Sequence, residues 1–238
     1  MSMDPTILEN FDGKVRLFPL PNVVLFPRVI QPLHIFEPRY KQMVEDALDD
    51  NGLIAMCLLR PSAGYGANNV APIFPEICIG KIIQEERLPD GRFNLLLQGV
   101  SRAKIIKEVN NGKLYRTAKV EILHDVPLPS EDNSNRIRTK LLNRMTKWFT
   151  QQPSAKAQLD RLVKSDLSLG NLCDVFSFAL PLSVDLKILL LQLVNVEDRA
   201  TLLLEVIEQM TPEIVEPEAS PLASPQASKK YPPDFSAN

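Results

Sequence analysis

The sequence predicts an α+β fold, a β half followed by a helical half, on three observations. Short β-branched runs separated by tight-turn signals fill the chain up to about residue 125. Apolar residues at helical spacing fill it from about residue 135 to 210. Between the two lies a Pro- and acid-rich connector, HDVPLPSEDNS.

The β half rests on its turns. Ile77 to Glu86 reads as a strand, Pro89-Asp90-Gly91 as a turn, and Phe93 to Leu97 as the returning strand. Val100 to Val109 is a third run, Asn110-Asn111-Gly112 a second turn, and Leu114 to Leu123 a fourth run. Asp-Gly and Asn-Gly tolerate the positive φ that hairpin turns require, so consecutive hairpins and an antiparallel sheet or partly closed barrel are expected. One helix interrupts this half. From Pro38 the apolar side chains Tyr40, Met43, Val44, Ala47 and Leu48 share one face. Pro38 suits the first turn, and Gly52 is placed to end the helix.

In the second half Ile137, Leu141, Leu142, Met145, Trp148 and Phe149 form one stripe, and Leu159, Leu162 and Val163 another. Leu172 to Leu180 is a helix broken by Pro181. Ser183 or Asp185 caps a further helix through Leu193, and Val196 to Met210 is the last. Short helices with short links predict a small bundle. The organisation is then an N-terminal arm (1–13), a β-domain (14–123), a linker (124–134), a helical bundle (135–210) and a tail (211–238). The tail is rich in Pro, Ser and Ala and is expected to be disordered.

Composition excludes several function classes. A formal charge of −2 over 238 residues gives no bulk attraction for nucleic acid or an anionic membrane. Cys57, Cys78 and Cys173 are far apart in apolar runs, so buried thiols are expected and no metal site. No apolar run is long enough to cross a bilayer, and Met1 to Glu9 does not read as a signal peptide, so a cytoplasmic protein is expected.

Residues 17 to 48, LFPLPNVVLFPRVIQPLHIFEPRYKQMVEDAL, resemble the opening of the Lon substrate-binding domain family, the N-terminal domain of ATP-dependent Lon proteases. The shared elements are Pro19-Leu20, Val24-Leu25-Phe26-Pro27, Pro32-Leu33, Ile35-Phe36-Glu37, Arg39-Tyr40 and Met43 before Ala47-Leu48. Asp90-Gly91-Arg92 is similar to the family's hairpin turn, and Gly99-Val100-Ser101-Arg102 to its G-x-x-R element. The likeness covers about residues 14 to 210. Two departures are Arg28, where Gly is common after Phe-Pro, and Ile188 in place of the usual Gln before the Leu run. The resemblance implies a PUA-like β-domain followed by a helical bundle, and a module that binds unfolded or partner polypeptide. Such a module would be an adaptor or chaperone-like component of protein quality control, working with a protease or chaperone.

No residue is nominated for catalysis, and no cofactor is implied. The phosphate-cradling pattern is missing around Gly80-Lys81, which Ile82 follows. Pro61-Ser62-Ala63-Gly64 looks like the serine string of Lon proteases. Leu59-Arg60 precedes it where those enzymes have Asp-Gly, and no base is nominated to activate Ser62. His34 lies among Pro32, Leu33, Ile35 and Phe36 and reads as structural, while His124 reads as solvated. Glu37 and Arg39 read as local pairing at the helix start. Arg136, Arg138, Lys140, Arg144 and Lys147 read as a solvated helix face. The candidates for peptide contact are Tyr65 and Phe74, aromatics in the long Pro61–Pro75 loop. A peptidase, or a component of an ATP-dependent protease system, and an RNA-binding PUA-like module are the alternatives.

Overall fold

The structure is a computed structural model and describes residues 5–9, 11–60, 71–110, 112–149 and 167–210. The helical stripe at 159–163, Ser62, Tyr65 and the tail lie outside the described residues. Among the described residues there are six strands: β1 Lys14–Leu20, β2 Ile30–Ile35, β3 Leu53–Leu58, β4 Glu76–Arg87, β5 Phe93–Val109 and β6 Arg116–Leu123. Five helices accompany them among the described residues: α1 Pro38–Leu48, α2 Glu131–Phe149, α3 Leu169–Ala179, α4 Val184–Gln192 and α5 Val196–Gln209.

The strands pair in the order β2-β5-β4-β3-β1-β6, and β6 returns to β5. Five strands therefore close into a ring, and β2 extends the sheet beyond it. All pairings are antiparallel except β1 with β3, which run parallel because the chain crosses over through β2 and α1 between them. The consecutive hairpins expected from the turns do occur as β4–β5 and β5–β6. The runs Phe93–Leu97 and Val100–Val109 are one strand of 17 residues, not two. The sequence reading leaves Gln98 and Gly99 between the two runs, but the Gly99 amide and carbonyl are held by Val29 and Arg28, and the strand continues through it.

Alternation along the strands fills two cores. Val15, Leu17, Leu53, Ala55, Cys57, Ile77, Ile79, Ala103, Ala118 and Val120 come from all five ring strands and meet in one cluster, so they occupy the inside of the ring. The opposite faces supply Phe18, Ile54, Met56, Leu58 and Cys78 to a larger cluster that α1 and the helical bundle complete. Helix α1 buries Tyr40, Met43, Val44 and Ala47, and Tyr40 meets Phe18 edge to face at 4.6 Å. It has Pro38 in its first turn, and Gly52 closes it with φ +64° and an N–H that donates a hydrogen bond to the Ala47 carbonyl.

Helix α2 begins at Glu131, inside the expected linker, because Ser130 Oγ accepts the Asn133 amide and two acidic residues occupy the first turn. Ser168, Ser183 and Asn195 cap α3, α4 and α5 in the same way. Helix α3 thus starts three residues earlier than its apolar run suggests. The larger cluster runs without interruption from α1 to α5, so both halves share one core.

Candidate functional site

Strand β2, the first half of β5 and the end of β4 form a three-stranded flap beyond the ring. Its inner face carries Leu33, Ile35, Phe93, Leu95, Leu97 and Ile82, all buried. Register fixes the outer face. Pro32 lies opposite Leu96, and Leu96 opposite Gln84; His34 lies opposite Asn94, and Asn94 opposite Glu86. Ile30 shares this face, one alternate position before Pro32. Ile83 stands at a register shift of β4 beside it. Ile30, Ile83 and Phe36 are 47%, 45% and 61% exposed, whereas a half-solvated antiparallel face ordinarily carries polar side chains.

One end of this face is held by an ordered chain of hydrogen bonds. Arg92 contacts His34 Nε2 at 3.2 Å, and His34 Nδ1 lies 2.7 Å from Asn94 Oδ1. A guanidinium can only donate, so Nε2 accepts and Nδ1–H donates to Asn94. Asn94 in turn donates to Glu86 at 3.0 Å. His34 is therefore half-buried and structural, and its ring stacks on Phe36 with centroids 6.2 Å apart. The open edge of β2 is poorly suited to receive another strand. Pro32 has no N–H, and its carbonyl accepts Gln31 Nε2 at 2.9 Å.

Phe74 is half-buried against the main core, its amide bonded to the Leu58 carbonyl and the Arg60 guanidinium 5.0 Å above its ring. Tyr65 lies outside the described residues, so the two aromatics are not brought together in view. Glu37 and Arg39 pair at 2.9 Å at the start of α1. His124 is exposed. The three thiols are buried, and burial pushes those of Cys57 and Cys173 up to about 12, which leaves them unreactive. Among the described residues no group of His, Cys, Asp and Glu is arranged to hold a metal ion, and no helix is long and apolar enough to cross a membrane.

A charged latch joins the β half to the bundle. Arg102 of β5 is 3% exposed and makes a two-pronged ion pair with Asp174 of α3, which is 1% exposed. Its Nε donates to the Leu191 carbonyl at 3.1 Å. Arg199 of α5, fully buried, binds Asp125 of the connector and the Leu193 carbonyl, and its Nε lies 3.5 Å from Asp174. Burial pushes the Asp174 carboxyl upward, and the two guanidiniums pull against that shift. Gly170 leaves room for the group, since a Cβ there would stand 2.6 Å from Asp125 Oδ2.

The motif Gly99-Val100-Ser101-Arg102 thereby acquires two physical reasons. A methyl group at Gly99 would run into the Phe26 carbonyl oxygen, and Arg102 holds the lobes together. The sequence marks neither role locally. The signal for the exposed face was present but unread: β2 and the residue after it have apolar residues at both alternating positions, Ile30, Pro32 and Phe36 at one and Leu33 and Ile35 at the other.

Comparison with known proteins agrees with this architecture. Residues 14–209 match the family described as the ATP-dependent protease La (LON) substrate-binding domain. Lon protease 1 of Borreliella burgdorferi is 26% identical over 210 residues, covering 84% of this chain and 26% of that protein. The Lon protease of Dictyoglomus thermophilum is 26% identical over 183 residues, covering 77% of this chain and 23% of its own. The chain thus spans about a quarter of the length of these relatives. Among solved structures, the N-terminal domain of the Mycobacterium avium complex Lon protease aligns with a TM-score of 0.64 at 15% identity, covering 83% of this chain and all of that one. A Lon N-terminal domain protein from Xanthomonas campestris aligns at 0.59 and 20% identity, over 83% and 99% of the two chains. With its core, its flap and its latch all inside the matched span, the chain belongs to the Lon substrate-binding domain family.

Proposed function

We propose that this chain recognises polypeptide through the outer face of the β2–β5–β4 flap, as a non-catalytic, cytoplasmic recognition module serving protein quality control as an adaptor or chaperone-like factor. The observation that carries the reading is the apolar surface formed by Ile30, Pro32, Leu96, Ile83 and Phe36 on a rigid sheet face. The family's substrate-binding description supports it. The blocked edge at Pro32 makes the mode one of side-chain packing on the face and not strand addition. Unfolded segments present such side chains, and folded proteins hide them. Phe74 and Tyr65, between β3 and β4 in the sequence, belong to the same reading as further contributors.

The test is fluorescence anisotropy with a labelled, uncharged peptide rich in Leu and Phe. The triple variant Ile30→Ser, Phe36→Ser, Ile83→Ser is expected to bind about tenfold more weakly, roughly the loss of one well-packed apolar contact. Its thermal unfolding should stay close to the parent's, because all three side chains are exposed. Unchanged affinity would remove the face from the proposal. A Tyr65→Ser, Phe74→Leu variant measures the loop separately, and unchanged affinity there would remove the loop alone.

A further inference from the structure

A different surface carries an unexplained concentration of charge. In the β1–β6 register Lys14 lies opposite Lys119, and in the β5–β6 register Lys119 lies opposite Lys107. Antiparallel partners share a face, so three ammonium-bearing side chains stand in one row across three neighbouring strands, about 5 Å apart at their Cβ atoms. Their strand neighbours Val15, Ala118 and Val120 point into the ring, which puts the lysines on its outside, and all three are exposed. Like charges directly opposite one another destabilise a strand pair. Lys14 approaches the exposed Asp12 at 3.8 Å. Among the described residues neither Lys107 nor Lys119 has a carboxylate at ion-pair distance. The chain is net acidic, so the row is a local feature and not a reflection of bulk composition.

The surroundings extend the row. The next cross-strand set, Val109, Thr117 and Arg16, opens into a cavity of about 710 Å³ between the ring and the end of α1, also lined by Asn51 and Lys113. Arg16 and Lys113 already hold Asp50 and Asp46 there, so the cavity contributes hydrogen-bonding groups and width, while the charge without a carboxylate at ion-pair distance is that of Lys107 and Lys119 on the row.

We infer that the Lys14–Lys119–Lys107 row binds acidic segments of polypeptide, giving the recognition module a second, electrostatic contact. The inference rests on the polypeptide-binding reading above. Three features favour a carboxylate-bearing chain over nucleic acid. The row spans only about 10 Å at the usual strand spacing, enough for two or three carboxylates, whereas duplex binders neutralise roughly 6–10 phosphates. Among the described residues it offers no exposed aromatic for base stacking, since Tyr115 at the cavity is buried with its hydroxyl on Asp46. Its cations are lysines, adaptable point charges without the planar fork that grips phosphate in two places.

The test titrates the full chain into three labelled probes: an extended Glu–Ser peptide, the matched Gln–Ser peptide, and oligouridylate. At low salt the Glu–Ser peptide is expected to bind about tenfold more tightly than its Gln–Ser counterpart, and added salt should erase the difference. Lys107→Gln with Lys119→Gln should lose that preference while folding normally, since the change relieves repulsion. An unaltered preference in the double variant, or equal binding of the two peptides, would overturn the inference. Tighter binding of oligouridylate than of the Glu–Ser peptide would reassign the row to RNA. The uncharged apolar peptide keeps the two surfaces distinguishable: the lysine variant should bind it like the parent. Its loss only in the flap variant bears on the earlier proposal alone.

Discussion

Arg28 adopts φ +69°, in the left-handed region that costs a residue with a Cβ about 1–2 kcal/mol. The turn it occupies brings its amide to the Gly99 carbonyl at 2.8 Å and sends the chain from Phe26-Pro27 into β2. Glycine, which the resemblance to the Lon family leads one to expect after Phe26-Pro27, would adopt this conformation freely. Arg28→Gly is expected to hold or raise stability by up to about 1 kcal/mol, and Arg28→Val, branched at Cβ, to lower it by about 2 kcal/mol. Urea unfolding midpoints check both, and equal values for the two variants would contradict the strain argument. Asp46 gives a second prediction at this scale. The Tyr115 hydroxyl, 2.7 Å away, and the Lys113 ammonium hold its carboxyl below the ordinary aspartate range. A depressed folded value contributes stability above the ordinary carboxyl pKa, and that contribution is lost as pH falls through the depressed one. Asp46→Asn should therefore cost about 1 kcal/mol at neutral pH and nothing in acid below both values. A stability difference that does not change between those conditions would show that the charge is not what matters.

Among the elements, β5 connects everything: its first half pairs β2 in the flap, its second half pairs β6 in the ring, and β4 follows it along most of its length. Gly99 lies at the changeover, under the Phe26 carbonyl. Gly99→Ala must push backbone against backbone, so a loss of about 3 kcal/mol is expected in thermal unfolding, with loosening of β2 visible as faster amide exchange there. Slowed or unchanged exchange in β2 would show that the loop adjusts elsewhere. This strand also shows what a sequence discloses. Helix α1 was legible to its ends, because periodicity, Pro38 and Gly52 are all local signals. The separation of the two runs at residues 98–99 was wrong because the reason for Gly99 is a carbonyl more than seventy positions earlier in the chain. The parallel pairing of β1 with β3 was hidden for the same reason, since no local pattern records a crossover. At the candidate site, apolar residues on both sides of β2 were visible, but their exposure depended on no helix covering the outer face.

Across the whole molecule, the halves that differ in sequence pattern are not mechanically separate. Arg102 comes from the sheet, Asp125 from the connector, and Asp174 and Arg199 from the bundle, so the charged latch closes only when both halves are folded. Gln192 donating to Glu76 and Val126 bridging to Asn195 reinforce the same seam. Arg102, Asp174 and Arg199 are each buried with a partner while Asp125 is exposed, so removal of one buried member is far more costly than removal of a matched pair. Arg102→Met leaves Asp174 facing Arg199 alone and should cost about 3–5 kcal/mol. Adding Asp174→Leu removes the orphaned carboxyl and should recover a large part of that loss, giving a coupling energy well outside the about 0.5 kcal/mol expected of independent sites. Calorimetry adds the reading that belongs to the seam: the parent should unfold in one transition, and Arg102→Met should separate the β half from the bundle into two. Additive losses with a single transition in every variant would mean that the continuous apolar core, and not the latch, couples the halves. In that case the β half would be held against the bundle by packing alone.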